Sequence, residues 1–250
     1  MIDTHTHVSK EYYEDIDGVI SRAKAAKVSP LIISGCDKSG IKEAVEFIEK
    51  YDNLYATIGY HPDEVEVTSD KDINELEKLV TANPKIIGIG EIGLDYYYGK
   101  DDRDKQLLLF EKQLALASRL DVPVVIHSRD AVLDTIELLK KYNVCGIMHC
   151  FSGSLETARE YISMGFLLGI GGVLTFKNSK LKEVIKEIPL ESIVLETDAP
   201  YLAPEPYRGK TNEPSYVVET AKFLAKIKEI SVEEVDKITT NNVIKLFDLK

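Results

Sequence analysis

The sequence is short of thiols, of positive charge, of histidine and of long apolar runs, and each shortage excludes something. Its cysteines, Cys36, Cys145 and Cys150, are three in number and form no C-x-x-C pair. That argues against a disulfide framework, and their setting in apolar runs predicts reduced, buried thiols. Lys and Arg total 31 against 42 Asp and Glu, a net charge of -11. No global basic field therefore draws in nucleic acid or anionic lipid, and a polyanionic substrate has to be handled locally. No apolar run approaches the length of a membrane span, and polar residues begin at Asp3, unlike a signal peptide. The expectation is a cytoplasmic protein with no membrane partner. Low-complexity segments, linkers and repeats beyond a strand-helix unit are missing too. With 250 residues, 44% of them hydrophobic, residues 1–250 read as a single domain with a sizeable core.

What is present is a regular alternation. Short β-branched runs fall at Ile2 to Val8, Pro30 to Gly35, Tyr55 to Tyr60, Ile86 to Glu91, Val122 to His127, Val144 to His149, Phe166 to Ile170 and Ile193 to Glu196. Between them lie segments with helical spacing: Ile16 to Lys27, Ile41 to Tyr51, Ile73 to Thr81, Lys105 to Leu120, Ala131 to Tyr142, Leu155 to Met164 and Leu181 to Ile188. In the fourth, Leu107, Phe110, Leu114 and Ala117 share one stripe. Two further helices, Tyr216 to Lys228 and Val232 to Phe247, close the chain, the last with Ser231 and Glu234 as a capping box and Ile230 and Val235 as a staple. Strands buried on both faces and joined by helical crossovers argue for a parallel α/β sheet. Eight such units in 250 residues is the size of a closed (β/α)8 TIM barrel. A doubly wound open sheet shares this alternation, and spacing alone does not separate the two.

The scarce histidines carry the functional argument. His5 and His7 sit two apart in the first strand, so their side chains share a face, with Asp3 on it too. The other three, His61, His127 and His149, also fall at the ends of predicted strands, and none of the five lies in a helix. In a parallel barrel those ends line one mouth, where active sites sit. Glu91 ends the fourth strand and Asp198 follows the eighth. Imidazoles with a few carboxylates suit Zn²⁺, Mn²⁺ or a related divalent ion. Four histidines with Glu91 and Asp198 exceed the needs of one tetrahedral ion, and two ions sharing a carboxylate fit the count.

Asp3-Thr-His-Thr-His7, Gly59-Tyr-His-Pro62, Gly90-Glu-Ile-Gly-Leu-Asp-Tyr96, His127-Ser-Arg-Asp130, His149-Cys-Phe-Ser-Gly153 and Glu196-Thr-Asp-Ala-Pro-Tyr-Leu202 together resemble the TatD family of metal-dependent DNases, amidohydrolase-like metallohydrolases on a TIM barrel. The likeness extends to Asn241-Asn242, and no proposed ligand departs from the family pattern. The resemblance implies a deoxyribonuclease, exonuclease-like in the 3'-5' sense, with two divalent ions (Zn, Mn or Mg). It implies that His5, His7 and Asp198 hold the first ion, that His127 and His149 hold the second, and that Glu91 bridges them.

Two ions about 3.5–4 Å apart would activate a water and neutralise phosphoryl charge. Asp198 is the candidate to orient or deprotonate that water, with Glu91 beside it as the other catalytic carboxylate. His61 is assigned to the phosphate or leaving oxygen, Arg129 and Arg208 to phosphate, Tyr96 or Tyr201 to base stacking, and Asp3 to orienting a ligand histidine. The expected partner is DNA, at ends or single strands, with the protein a monomer. The alternatives are the same centre acting on an ester or amide, such as D-aminoacyl-tRNA, and a non-enzymatic metal-binding protein.

Overall fold

The apolar runs become strands because each is bounded by residues that stop it. In the computed structural model, which describes residues 1–99 and 101–249, they are β1 (Asp3–Thr6), β2 (Leu31–Gly35), β3 (Leu54–Ile58), β4 (Ile86–Asp95), β5 (Val124–Arg129), β6 (Gly146–Met148), β7 (Phe166–Ile170) and β8 (Ile193–Leu195). The helices are α1 (Ile16–Ala25), α2 (Lys38–Lys50), α3 (Asp70–Ala82), α4 (Arg103–Leu120), α5 (Val132–Leu139), α6 (Leu155–Ser163), α7 (Leu181–Glu187), α8 (Val217–Lys228) and α9 (Val232–Phe247). The strands follow one another in sequence order through one eight-stranded sheet, with β1–β2, β3–β4, β4–β5, β5–β6 and β7–β8 recorded as parallel. The fold is a (β/α)8 TIM barrel rather than an open, doubly wound sheet. Among the described residues no helix is long and apolar enough to cross a membrane.

The chain packs as two compact units, residues 34–149 and residues 1–33 with 150 onward. In the 34–149 unit, β3 to β6 form the sheet, and α4 buries Leu109, Phe110, Leu114, Leu116 and Ala117. Leu107, expected on that stripe, is only half-buried, and Leu109 takes its place. Truncating a side chain as enclosed as Phe110 would cost about 3–5 kcal/mol. In the other unit, Thr6 of β1 bridges Ala199, just beyond β8. The start of α9 is fixed as its sequence indicates, with the Ser231 hydroxyl accepting the Glu234 N–H.

Two boundaries differ in ways that matter for the site. β4 runs ten residues, to Asp95 and not to Glu91, because the chain bulges between Gly90 and Ile92 and then pairs with β5 again (Gly93 with His127, Leu94 with Ser128, Asp95 with Arg129). Gly93 is needed there: at φ 149° any Cβ would meet the His127 carbonyl. Helix α3 starts three residues before the expected Ile73, where Ser69 and Asp72 form a reciprocal capping box. The cysteines correct an expectation: Cys145 is exposed and Cys36 and Cys150 are half-buried, because each lies at a strand margin and not within its apolar run.

Candidate metal centre

In the unit that contains both termini, main-chain hydrogen bonds set the first group of donors. The Asp198 N–H donates to the His5 carbonyl (3.0 Å) and the His7 N–H to the Ala199 carbonyl (2.7 Å), so the segment after β8 lies against β1. His5 lies in β1 and His7 just beyond it, and the extended chain turns both imidazoles to one side. Their Nε2 atoms are 3.1 Å apart, with Asp198 Oδ1 3.3 Å from that of His7 and 4.0 Å from that of His5. Asp198 adopts the left-handed conformation at φ 54°, which turns its carboxylate back toward the pair. Two nitrogens and a carboxylate oxygen this close are a donor set that fits a divalent cation, which resolves the crowding of lone pairs.

Asp3, expected to orient a ligand ring, does something else. Its Oδ1 accepts the Thr197 N–H (2.9 Å) and the His5 N–H (3.3 Å), and its Oδ2 accepts the Thr197 hydroxyl (2.6 Å). It therefore fixes the backbone of β1 and the β8 end and not an imidazole. Burial pushes its carboxyl well above the usual range, against the Thr197 hydrogen bonds.

In the 34–149 unit the donors gather around one oxygen. Glu91 Oε1 is 2.9 Å from His127 Nδ1, 3.7 Å from His149 Nε2 and 3.9 Å from His61 Nε2. Its Oε2 accepts the Cys36 thiol at 3.5 Å. Glu91 reaches this position from the β4 bulge, and His127 from the register-matched β5. The far nitrogen of His127, Nε2, sits 2.9 Å from Asp95 Oδ2, a carboxylate-histidine pair of the kind that orients metal ligands. Burial lowers the affinity of His127 for a proton, but Asp95 and Glu91 outweigh it and lift its pKa to about 9. Burial raises and the His127 and Tyr97 hydrogen bonds lower the Asp95 pKa, with a net fall. His61, Glu91 and His127 also form a compact donor set that can hold a metal ion.

His61 has a distinct environment. Its Nδ1 accepts the Asp63 N–H at 3.2 Å at the start of a 3-10 turn and lies 3.3 Å from the Asp63 carboxylate, while Nε2 faces Glu91 at 3.9 Å.

Two glutamines of α4 place these ends. Gln113 accepts the Tyr60 N–H (2.8 Å) and donates to the Tyr60 carbonyl (2.9 Å), beside His61. Gln106 does the same for Asp95 (2.9 Å each way). Both are buried on the stripe that sequence reasoning gave to apolar residues, and their seven-residue spacing, two helical turns, was the available signal. Asp95 itself was visible in the Gly-Leu-Asp motif but given no role.

The predicted substrate contacts divide. Arg129 lies 3.6 Å over the Tyr97 ring and 4.0 Å from Asp95 Oδ2, beside the second group. Arg208 lies 3.8 Å over Phe176. Tyr201 is half-exposed and meets His7 edge-on at 6.2 Å, with its hydroxyl donating to that of Tyr12. Tyr96 is not available for stacking: it is buried, and its hydroxyl donates to Asp134 (2.7 Å), which also receives Arg103. The turn sends Tyr97 and Tyr98 outward in its place.

Over residues 2–248 the sequence matches the family described as TatD related DNase. It is 46% identical over 252 residues to the metal-dependent hydrolase YabD of Bacillus subtilis, covering 99% of this chain and 98% of that one. The crystal structure of YjjV, a TatD homologue of Escherichia coli, superposes with a TM-score of 0.94 at 31% identity over 100% of this chain and 98% of that one. A TatD family hydrolase of Entamoeba histolytica gives 0.89 at 28% identity, over 99% and 97%.

Proposed function

This chain belongs to the TatD-related family and is a metal-dependent hydrolase, and from that premise we propose that it cleaves phosphodiester bonds in DNA, at ends or in single strands, with two divalent ions per chain. The observation that carries the reading is the pairing of donor sets: His5, His7 and Asp198 in one unit, and Glu91, His127 and His149 in the other. In each unit the donors lie on strands or on the segments that directly follow them, the part of a barrel's architecture that carries active sites. Divalent ions bound there supply an activated water and positive charge against the phosphoryl oxygens.

The residues have separable tasks. Asp198, with its carboxylate turned to His7, accepts the proton of the attacking water. Glu91 supplies the oxygen around which His127, His149 and His61 gather. His61, with Nε2 on the Glu91 side, contacts a phosphate or leaving oxygen. Arg129, half-exposed, meets a phosphate oxygen from the side of Asp95. A net charge of -11, with 31 Lys and Arg outnumbered by 42 Asp and Glu, gives the protein no general basic surface, so affinity for long duplex DNA is modest and its salt slope shallow.

The test supplies Mn²⁺, Mg²⁺ or Zn²⁺ to purified protein with labelled single-stranded DNA, D-aminoacyl-tRNA and a simple phosphodiester. Metal-dependent shortening of the DNA supports the reading. Cleavage of the aminoacyl ester alone would move the same centre to a carbonyl substrate.

A further inference from the structure

We propose that Tyr97, Tyr98 and Arg129 form a stacking platform for the bases of a single-stranded nucleic acid, beside the second donor group. The proposal rests on the phosphodiesterase reading and names what holds the strand outside the metal-binding residues.

The platform is built by a turn. The Gly99 N–H donates to the Tyr96 carbonyl at 3.1 Å, so Tyr97 and Tyr98 occupy the two central positions, and Gly99 takes φ 127°. Tyr97 and Tyr98 meet edge to face at 4.8 Å, and the Arg129 guanidinium lies 3.6 Å over the Tyr97 ring and 5.9 Å from that of Tyr98. Arg129 thus covers one face of Tyr97, and the three flat groups adjoin as one surface on which a base can stack.

Folding does not account for them. Tyr98 is 86% exposed and Tyr97 54%, so the area an aromatic gains by burial is left unused. Isolated exposed apolar residues are ordinary, but a paired set against a half-exposed arginine is a surface suited to flat ligands. Its address is defined by Asp95, whose Oδ1 accepts the Tyr97 N–H (2.9 Å) while Oδ2 holds His127 (2.9 Å). One side chain therefore couples the turn to a proposed metal ligand. Base stacking also answers the charge problem: it is indifferent to sequence and needs no excess of Lys and Arg, which this acidic chain lacks.

The chain contains no tryptophan, so Tyr98→Trp introduces a unique fluorophore. Mn²⁺-loaded Tyr98→Trp enzyme is titrated with oligothymidylate and with the abasic strand of equal length, and hydrolysis of both strands is followed for wild type and Tyr98→Ala. The expectation is indole quenching by oligothymidylate and little by the abasic strand, with Tyr98→Ala raising KM for oligothymidylate about 5- to 100-fold and for the abasic strand far less. Quenching that is absent, or equal for both strands, overturns the platform, as does an equal KM change on both. Failure of the wild type to hydrolyse either strand overturns the nuclease reading instead, and the quenching then decides the platform by itself.

Discussion

His5, His7 and Asp198 are placed mainly by main-chain hydrogen bonds, whereas His127 and the ends that carry His61 and Asp95 have side-chain grips added to their main-chain ladders. In the first group the backbone of β1 and of the β8 end does the work, with Asp3 clamping Thr197 from within. In the second, Asp95 grips His127, Gln113 grips Tyr60 and Gln106 grips Asp95. The lesson is about fragility. A backbone ladder survives most single substitutions, while a site oriented by three polar side chains can be loosened by any of them.

That contrast can be broken in order of size. Orienting residues of metal sites usually contribute 10- to 100-fold, so His127→Ala, which removes a proposed ligand outright, should lower kcat/KM by more than about 100-fold. Full activity in this variant, measured on whichever substrate is cleaved, would remove His127 from the account. Asp95→Asn should weaken metal binding at the second group by about 10- to 100-fold while leaving the first group intact, as read by calorimetric titration of chelator-treated protein. Gln113→Leu leaves the Tyr60 N–H and carbonyl buried without their partner, at a cost of about 2–5 kcal/mol in unfolding free energy, with a several-fold loss of activity through His61. Equilibrium denaturation and initial rates together would check it.

The smallest effect needs no mutation. In chelator-treated protein the pKa of His127 is raised to about 9 from an ordinary value near 6.5. A raised folded-state pKa stabilises fully below the unfolded value and is lost as the pH climbs through the folded one. The metal-free protein should therefore lose stability between about pH 6.5 and 9. Over the same window its second group should gain metal affinity, since His127 must shed a proton to ligate. Thermal melts across that range, compared with His127→Gln, should show the slope flatten in the variant.

Much of this was legible beforehand because two periodicities are strong. The period-2 rule put His5 and His7 on one face without any knowledge of partners, and alternating runs gave eight strands in their right places. Closure was not legible in the alternation, which a barrel and an open sheet share, but in the count of eight units and in the family resemblance. The second group was half legible. Glu91 and His127 stood at strand ends, but the bulge that lets β4 continue to Asp95 depends on pairing with β5, which no local pattern announces. Gln106 and Gln113 were hidden for the opposite reason: amides on a helix read as a solvent face until a strand end needs their hydrogen bonds. The exchange of Tyr96 for Tyr97 and Tyr98 turned on one reverse turn, and three adjacent identical residues give sequence no means of choosing.

The most direct measurement is a calorimetric titration of chelator-treated protein with Mn²⁺ or Zn²⁺, repeated for the paired change His5→Ala with His7→Ala and for His127→Ala. The account predicts two equivalents bound by the native chain and the loss of a different one in each variant. A native stoichiometry of one or none, or the same residual ion surviving in both variants, would contradict it.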